Sequence, residues 1–396
     1  MHVIVAGSGV AGAASAVALR RIGAEVTVYE AHPDPAGPVG SFVSLAVNGL
    51  RGLEMLGCLP PVQQAGFAVA RQRLWASNGR LLGDVARGRR SGDPLHSVTL
   101  LRADLVRTLR ELAEEAGARI LTDQRLVGAT ITGGSVQATF ASGHTDHADL
   151  LVGADGLWSA TRAILDASAP TPTYAGLYNV SGQADGAGIQ ADPGTFNMIF
   201  ARNGAFLYVP APDGSLWWSA QVASPQEPHL SDVSDQAWLD RLAGLFCHEQ
   251  QTQAVLQATT RLHHPTRMHV LAPVDTWHRD RIVLLGDAAH PVGAGQGAAM
   301  AIEDAVVLAQ HLATASSIPA ALSAYDRSRR ARTAKLVKAA SHNRDAKTAG
   351  PLGRAAGNLL MPVFFRFFYE RATAWLYTHD VGTLPPSRTA SRPGTR

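Results

Sequence analysis

Residues 1–30, MHVIVAGSGVAGAASAVALRRIGAEVTVYE, decide how the rest of the chain is read. A short β-branched run (residues 3–6) leads into Gly7-x-Gly9-x-x-Gly12, a helical stretch follows to about residue 22, and a second β run (residues 26–29) ends at Glu30. Strand, glycine turn, helix, strand and acid in that order form the dinucleotide-binding fingerprint in its proper context. Gly7 serves the tight turn, Gly9 lets a pyrophosphate approach the backbone, and Gly12 lets helix and strand pack closely. Val10 opens the helix, whose first free N–H groups point at the phosphates. Glu30 is placed to take the ribose hydroxyls. The segment is apolar enough to resemble a signal peptide, but it lacks a basic start and its glycines sit at meaningful positions, so it is read as folded structure.

The fingerprint alone does not separate NAD from FAD. An NAD dehydrogenase continues with further βα units, whereas here residues 34–42 read as loop and a partial helical stripe follows through Leu45, Leu50, Leu53 and Leu56. Asn48 in that stretch is a candidate helix cap or ligand contact. Two strands, residues 68–75 and 81–85, turn at Asn78-Gly79 and are read as an excursion into a second domain. Residues 103–116 form an amphipathic helix with Leu105, Leu109 and Leu112 on one face. Arg102 stands at its entrance, where the helix dipole disfavours a cation, and this points to a ligand anion. Residues 149–162, DLLVGADGLWSATR, combine an apolar strand with an Asp155-Gly156 turn; a plain turn stabilised by Asp155 is an equally available reading.

Residues 281–304, RIVLLGDAAHPVGAGQGAAMAIED, repeat the design. An apolar strand stops at Gly286-Asp287, and a glycine-rich turn leads to a helix predicted from residue 296 to 312. The glycines admit a ligand close to the backbone, and Gly295, Gly297 and Ala298 bring the helix N-terminus to it.

With these three motifs in this order, the sequence resembles the single-component FAD-dependent monooxygenases of the p-hydroxybenzoate hydroxylase type. Asn48 and Arg102 also match, and the resemblance runs from residue 1 to about residue 345. Val47 stands where a proline is usual, and Ala299 where Asn or Ser is common. The resemblance implies an α/β fold: a Rossmann-like FAD-binding domain interleaved with a β-sheet substrate domain, followed by a C-terminal helical segment. The expected division is 1–68, 99–172 and 271–345 for FAD; 69–98 and 173–270 for substrate; 346–382 for a C-terminal helix; and 383–396 for a disordered tail. It further implies FAD as cofactor, NADPH or NADH as co-substrate, and O2 as the source of one oxygen atom inserted through a flavin C4a-hydroperoxide. Glu30 would bind the adenosine ribose, Arg102 the ribityl and pyrophosphate side, and Asp287 the ribityl or phosphate region. Asp155 would bridge FAD and nicotinamide binding, and the N–H groups from Gly295 to Ala298 would face the flavin N1–C2=O edge. Pro291 would sit beside C4a. His290 is a candidate base, although a structural role is preferred for it.

Strands are expected at residues 174–182, 196–201, 205–209 and 216–222, with a helix over 232–251. Alternation puts Phe206 and Tyr208 on one face. Phe206, Tyr208, Trp217 and Trp218 are candidates for a wall facing the flavin, with Tyr208 also a candidate for the chemistry; a core placement is equally open. Such a wall suits a flat aromatic or polycyclic small molecule. His263, His264 and His269 lack metal-helix spacing, and no metal is expected. The aromatic run near residues 362–377 reads as a helix covering the core in preference to a membrane-surface helix.

A net charge of +3 over 396 residues excludes a nucleic-acid partner, and two cysteines exclude a disulfide framework, which makes a reducing cytoplasm the simplest compartment. The Arg- and Ala-rich composition points to specialised metabolism or xenobiotic breakdown in a GC-rich bacterium, with a monomer or homodimer expected. Alternatives are a flavin-dependent reductase or halogenase on the same scaffold, the latter disfavoured by the missing WxWxIP pattern, or a non-catalytic protein that keeps the fold.

Overall fold

The computed structural model describes all residues except 35–36, 38–40, 187, 190, 232, 293–294, 348–349 and 386–396, and backbone alone at 342–347, 351–352 and 354–355. Most of the expected tail, and part of the loop after Glu30, lie outside the described residues.

Six strands form the central sheet in the order His278–Arg279, Ile282–Leu284, Leu150–Gly153, His2–Ala6, Glu25–Tyr29 and Arg119–Leu121. All neighbours are parallel except the first pair. Its strands read as continuous apolar runs because both faces are covered, one by helices and the other by a three-stranded sheet of Leu126–Thr132, Ser135–Phe140 and Thr145–Ala148, whose Phe140 stacks on Tyr29 at 4.0 Å: Val3, Ile4, Leu150, Leu151, Val283 and Leu284 are fully buried. The helices Val10–Arg21 and Gly297–Thr314 close over it. They approach each other at Gly286 (φ +55°), where a Cβ would stand 3.0 Å from that of Ala11 and 3.4 Å from that of Ala301. The expected order of motifs now acquires a spatial cause. Ala6, Gly153 and Leu284 are cross-strand neighbours on three adjacent parallel strands, so Gly7, Asp155 and Asp287 leave the same edge of the sheet.

A second sheet of seven strands runs Thr259–Val270, Thr173–Asp185, Ser215–Ala223, Gly204–Pro210, Thr195–Ala201, Arg71–Ala76 and Leu81–Ala86. The early strand pair thus joins strands more than 100 positions later, Arg71–Ala76 lying parallel to Thr195–Ala201. A small sheet of Phe42–Leu45, Ser97–Leu101 and Phe67–Val69 bridges the two. The helix expected over 232–251 is two, Asp235–Leu245 and Gln250–Gln257. Ser234 starts the first by accepting the Ala237 N–H at 3.3 Å. The C-terminal segment is likewise two helices, Pro351–Phe367 and Tyr369–Tyr377, after the long Ile318–Lys347 helix.

Both departures from the family pattern have packing reasons. Val47 is the first residue of the Val47–Met55 helix, and its N–H donates to the Gly88 carbonyl at 3.0 Å, a bond proline cannot make. Ala299 is fully buried against Gly49, where an added Cβ would sit 2.8 Å from the Ala299 Cβ. Asn48 does not cap its helix. It lies in the first turn, fully buried, and its Nδ2 donates to Glu303 Oε1 at 2.8 Å.

Candidate functional site

The three strand ends build a cradle. Gly7 has φ +95°, and a Cβ there would lie 2.6 Å from the Ala154 carbonyl oxygen; at Gly12 a Cβ would lie 1.9 Å from the Gly7 oxygen. Those two glycines are demanded by the protein itself. Gly9 is not: nothing lies within 4 Å of the position its Cβ would take. The same openness holds at Gly156 and Gly295, which also carry positive φ. An open glycine backbone at a helix start is what close approach of a pyrophosphate requires. Glu30 is buried, its Oε2 accepting from Ser8 N–H (2.8 Å) and Ser8 Oγ (3.0 Å), its Oε1 from His32 N–H (2.9 Å). The carboxylate therefore fixes the glycine turn.

Asp155 is taken up by its own turn. One oxygen accepts from Ser159 Oγ at 2.5 Å, the other from the N–H and hydroxyl of Thr161, both at 2.9 Å. Arg162, buried behind it, donates to the carbonyls of Ala288 (3.0 Å) and Leu157 (2.7 Å), tying this turn to the Asp287 turn. Asp287 is solvent-accessible, and its Oδ1 lies 3.6 Å from where a Gly297 Cβ would be, over the start of the long helix. Burial among the surrounding protein raises its carboxyl above the ordinary range, while the charges of His290 and Arg102 pull it back down. Arg102 and Asp287, 185 positions apart, therefore share one field. Pro291, Gly297 and Ala298 are half-buried and Gly295 is exposed, whereas the helix is buried from Ala299 onward. The free N–H groups of its first turn thus meet an accessible surface. An anionic, elongated cofactor such as FAD fits this donor set.

Beneath the cradle lies an ionic network that the sequence did not reveal. His290 Nε2 is 2.6 Å from Asp304 Oδ2, which also accepts the Gly286 N–H at 3.0 Å. Arg329 joins Asp304 Oδ1 (2.6 Å) to Glu303 Oε2 (2.8 Å), and Arg332 forks onto both oxygens of Glu303 at 2.7 Å. Glu303, Asp304 and Arg329 are at most 1% exposed. Burial alone would raise the Asp304 carboxyl; His290 and Arg329 bring it down to about 2. With Nε2 held this way and the ring packed 5.1 Å from Trp277, His290 positions the Asp287–Pro291 turn.

The substrate sheet corrects one expectation. Phe206, Tyr208 and Trp218 do share a face, but that face packs on Trp238, Leu242, Phe246 and Val255 of the covering helices. Phe206 and Trp218 stack at 5.5 Å, and Tyr208 donates to Gln251 at 3.3 Å. These are core aromatics, and burial raises the Tyr208 phenol to about 12. The opposite face turns toward the FAD-domain side. There Trp217 lies 6.1 Å from Phe42 and 5.2 Å from Phe67, and Phe42 is the register partner of Leu101, next to Arg102. Trp217 Nε1 and Gln221 Oε1 on this face are buried without a hydrogen-bond partner among the described residues. The Arg87 guanidinium stands 3.7 Å over Phe196 in the same layer. It has no carboxylate partner among the described residues, and burial lowers its pKa against the opposing influence of Tyr377 and Tyr369. Parity was readable in the sequence; which parity the helices cover was not.

This assignment gives a paired prediction, a hypothesis about the wall. Tyr208→Phe is expected to leave kcat and KM within about twofold and cost roughly 1 kcal/mol of stability. Trp217→Ala is expected to raise KM about tenfold or more. Steady-state kinetics on a turned-over substrate, beside thermal unfolding, check both; the reverse pattern would return the wall to the Tyr208 face.

A parallel sheet whose strand ends gather a dinucleotide fingerprint, an acid-ended turn and an anion-receptive helix start defines a flavin-binding fold with an attached substrate sheet. The chain belongs to the family described as FAD binding domain, whose pattern it matches over residues 1–340, and it is an FAD-dependent monooxygenase of the p-hydroxybenzoate hydroxylase type. It is 30% identical over 336 residues to the aurachin C monooxygenase/isomerase of Stigmatella aurantiaca, covering 82% of this chain and 84% of that protein. It is 30% identical over 354 residues to the FAD-dependent urate hydroxylase of Mycolicibacterium vanbaalenii, covering 85% and 86%. Among solved structures, Klebsiella pneumoniae HpxO complexed with FAD and uric acid superposes with a TM-score of 0.83 at 23% identity, over 96% of each chain. A salicylate hydroxylase substrate complex gives 0.79 at 22%, again over 96% of each chain.

Proposed function

We propose that the protein uses NADPH or NADH and O2 to oxygenate an electron-rich aromatic or polycyclic small molecule held between the cofactor edge and the Trp217 face of the substrate sheet. The observation that carries this reading is that the turns of Gly7, Asp155 and Asp287 leave one edge of the parallel sheet, with Asp287 in the field of Arg102 and beside the start of the Gly297–Thr314 helix. FAD, when bound, supplies the redox chemistry and the activation of oxygen. In this reading Glu30 and the Gly9–Val10 backbone hold its nucleotide end, Arg102 and Asp287 its middle, and Asp155 stabilises the turn beside it. The N–H groups from Gly295 to Ala298 face the flavin edge that becomes negative on reduction, an anion stabilised without side-chain reorganisation. Pro291 borders the reacting position. His290, tied to Asp304, holds that turn in place and exchanges no proton with substrate. Phe42, Phe67 and Trp217 exclude water from the pocket. Cys58 is buried and Cys247 is an exposed free thiol, in keeping with a reducing cytoplasm.

The test is anaerobic mixing of the FAD-loaded protein with NADPH or NADH in a stopped-flow spectrophotometer, followed by oxygen. Bleaching of the flavin by one nicotinamide, then a transient absorbance before reoxidation, is the expected result. A flavin that neither nicotinamide reduces, alone or with aromatic ligands of the urate and hydroxybenzoate classes, would sink the proposal and favour a partner-reduced enzyme.

A further inference from the structure

The Pro351–Phe367 helix is apolar on two opposite sides. Met361 and Phe365 pack into the cluster with Leu82, Met198 and Val209, and Phe365 sits so close to the Leu81–Ala86 strand that a Cβ on Gly83 would fall 2.6 Å from its ring. That is the inward face. Outward, Leu359 is 73% exposed, Leu360 65%, Val363 51%, Phe364 41%, Phe367 65% and Phe368 56%. Their spacing of i, i+1, i+4, i+5, i+8 and i+9 gathers them into one stripe opposite the core contacts. Together they expose on the order of 600 Å² of apolar side chain, the upper end of what a monomer leaves in water.

The charges around the stripe say what covers it. Arg80, Arg90, Arg366 and Arg371 are exposed beside it. The Arg80 guanidinium donates to the Asn358 carbonyl, and that of Arg366 lies 5.3 Å over the Phe367 ring. Glu370 is the one acidic residue between positions 351 and 377, and it is already engaged by Arg90 and by Ser91 Oγ at 2.8 Å. A second copy docked by a twofold axis would bury about 1,200 Å² in total, the floor for a stable interface, and would set basic rim against basic rim. An anionic lipid surface accepts both the stripe and the rim. No helix among the described residues is long and apolar enough to cross a membrane, and Pro362 lies inside this one, so the contact is in the plane of the interface.

We propose that this helix docks the enzyme peripherally on anionic membranes, with Leu359, Leu360, Val363, Phe364, Phe367 and Phe368 entering the headgroup boundary. The test is co-sedimentation of the full-length, FAD-loaded protein with phosphatidylcholine vesicles with and without phosphatidylglycerol. Binding is expected with phosphatidylglycerol at low salt and about tenfold weaker without it or at high salt. Leu360→Glu/Phe367→Glu should lose vesicle binding about tenfold or more while keeping flavin content. Arg366→Gln/Arg371→Gln should reduce the preference for phosphatidylglycerol. The proposal is overturned if neither vesicle retains the protein, or if the double glutamate variant binds as well as the parent. It is overturned equally if sedimentation velocity shows a dimer that this variant dissolves in the absence of any vesicle binding.

Discussion

Replacing Arg329 with methionine is expected to lower the thermal midpoint by about 5 °C and to release the flavin early in the transition. The hypothesis rests on what the substitution leaves behind. Glu303 and Asp304 are both fully buried, and Arg329 is the residue that touches both. Methionine fills part of the space but leaves Asp304 with His290 and the Gly286 N–H, and Glu303 with Arg332 and Asn48. Removing one partner of a buried ionic group costs about 3–5 kcal/mol, because the remaining charge stays desolvated. In a chain of 396 residues this converts to a fall of roughly 1–2 °C per kcal/mol. The flavin is coupled to the loss because Asp304 also holds the Gly286 N–H and His290, the two ends of the turn that carries Asp287. A second signature lies in acid. The Asp304 carboxyl is held down to about 2, so it contributes stability above the ordinary carboxylate value near 3.9 and loses it as pH falls through that window. Without Arg329 the pull weakens, and acid unfolding is expected to begin at higher pH. Flavin-fluorescence melts of both proteins across that range decide it; a shift of under about 2 °C at neutral pH would show that the network is dispensable.

The residues that were legible in the sequence are those whose role is local. Gly7, Gly12 and Glu30 belong to one strand–turn–helix–strand unit and Gly286 to a second strand–turn–helix unit, and the spacing within each carries the turn geometry that made them readable. The Glu303–Arg329–Arg332 network was not, because its arginines sit among several others on the Arg-rich Ile318–Lys347 helix, and only tertiary packing selects the two that turn inward. Asn48 illustrates the same limit. An asparagine at a helix start reads as a cap, but Ala46 occupies that position and Glu303, 255 positions away, takes the side chain. For the substrate sheet, alternation correctly grouped Phe206 with Tyr208, but both faces are apolar, so the pattern held no mark of which one the helices would cover. The aromatic candidates fall on both faces: the helices cover Phe206, Tyr208 and Trp218, while Trp217 is half-buried on the other side. The C-terminal segment was read as one helix; it breaks at Phe368, where φ moves to −121°, and nothing in the residue pattern there marks the break.

Gly9→Val and Gly12→Ala, three positions apart in one motif, are expected to fail in opposite ways. A methyl on Gly12 would lie 1.9 Å from the Gly7 oxygen, inside van der Waals contact with backbone that cannot yield without opening the turn. Overlap of that kind belongs with the exceptional destabilisations, above about 4 kcal/mol, and the variant should accumulate as insoluble or unfolded chain. Gly9 has φ −67°, an ordinary value for any residue, and among the described residues no atom lies within 4 Å of its Cβ position. Valine there should leave the fold intact and occupy the volume that a pyrophosphate needs. The expected product is a soluble, cooperatively melting protein that retains FAD about 100-fold more weakly, roughly 3 kcal/mol in binding. Far-UV circular dichroism reports the fold, and the ratio of flavin to protein absorbance after gel filtration reports the cofactor. A yellow Gly9→Val protein with parental affinity would mean that the pyrophosphate does not approach this turn, and the assignment of Gly9 and Val10 to the nucleotide end would fall. A colourless, well-folded Gly9→Val beside an unfolded Gly12→Ala would separate the glycine kept for the ligand from the glycine kept for the chain.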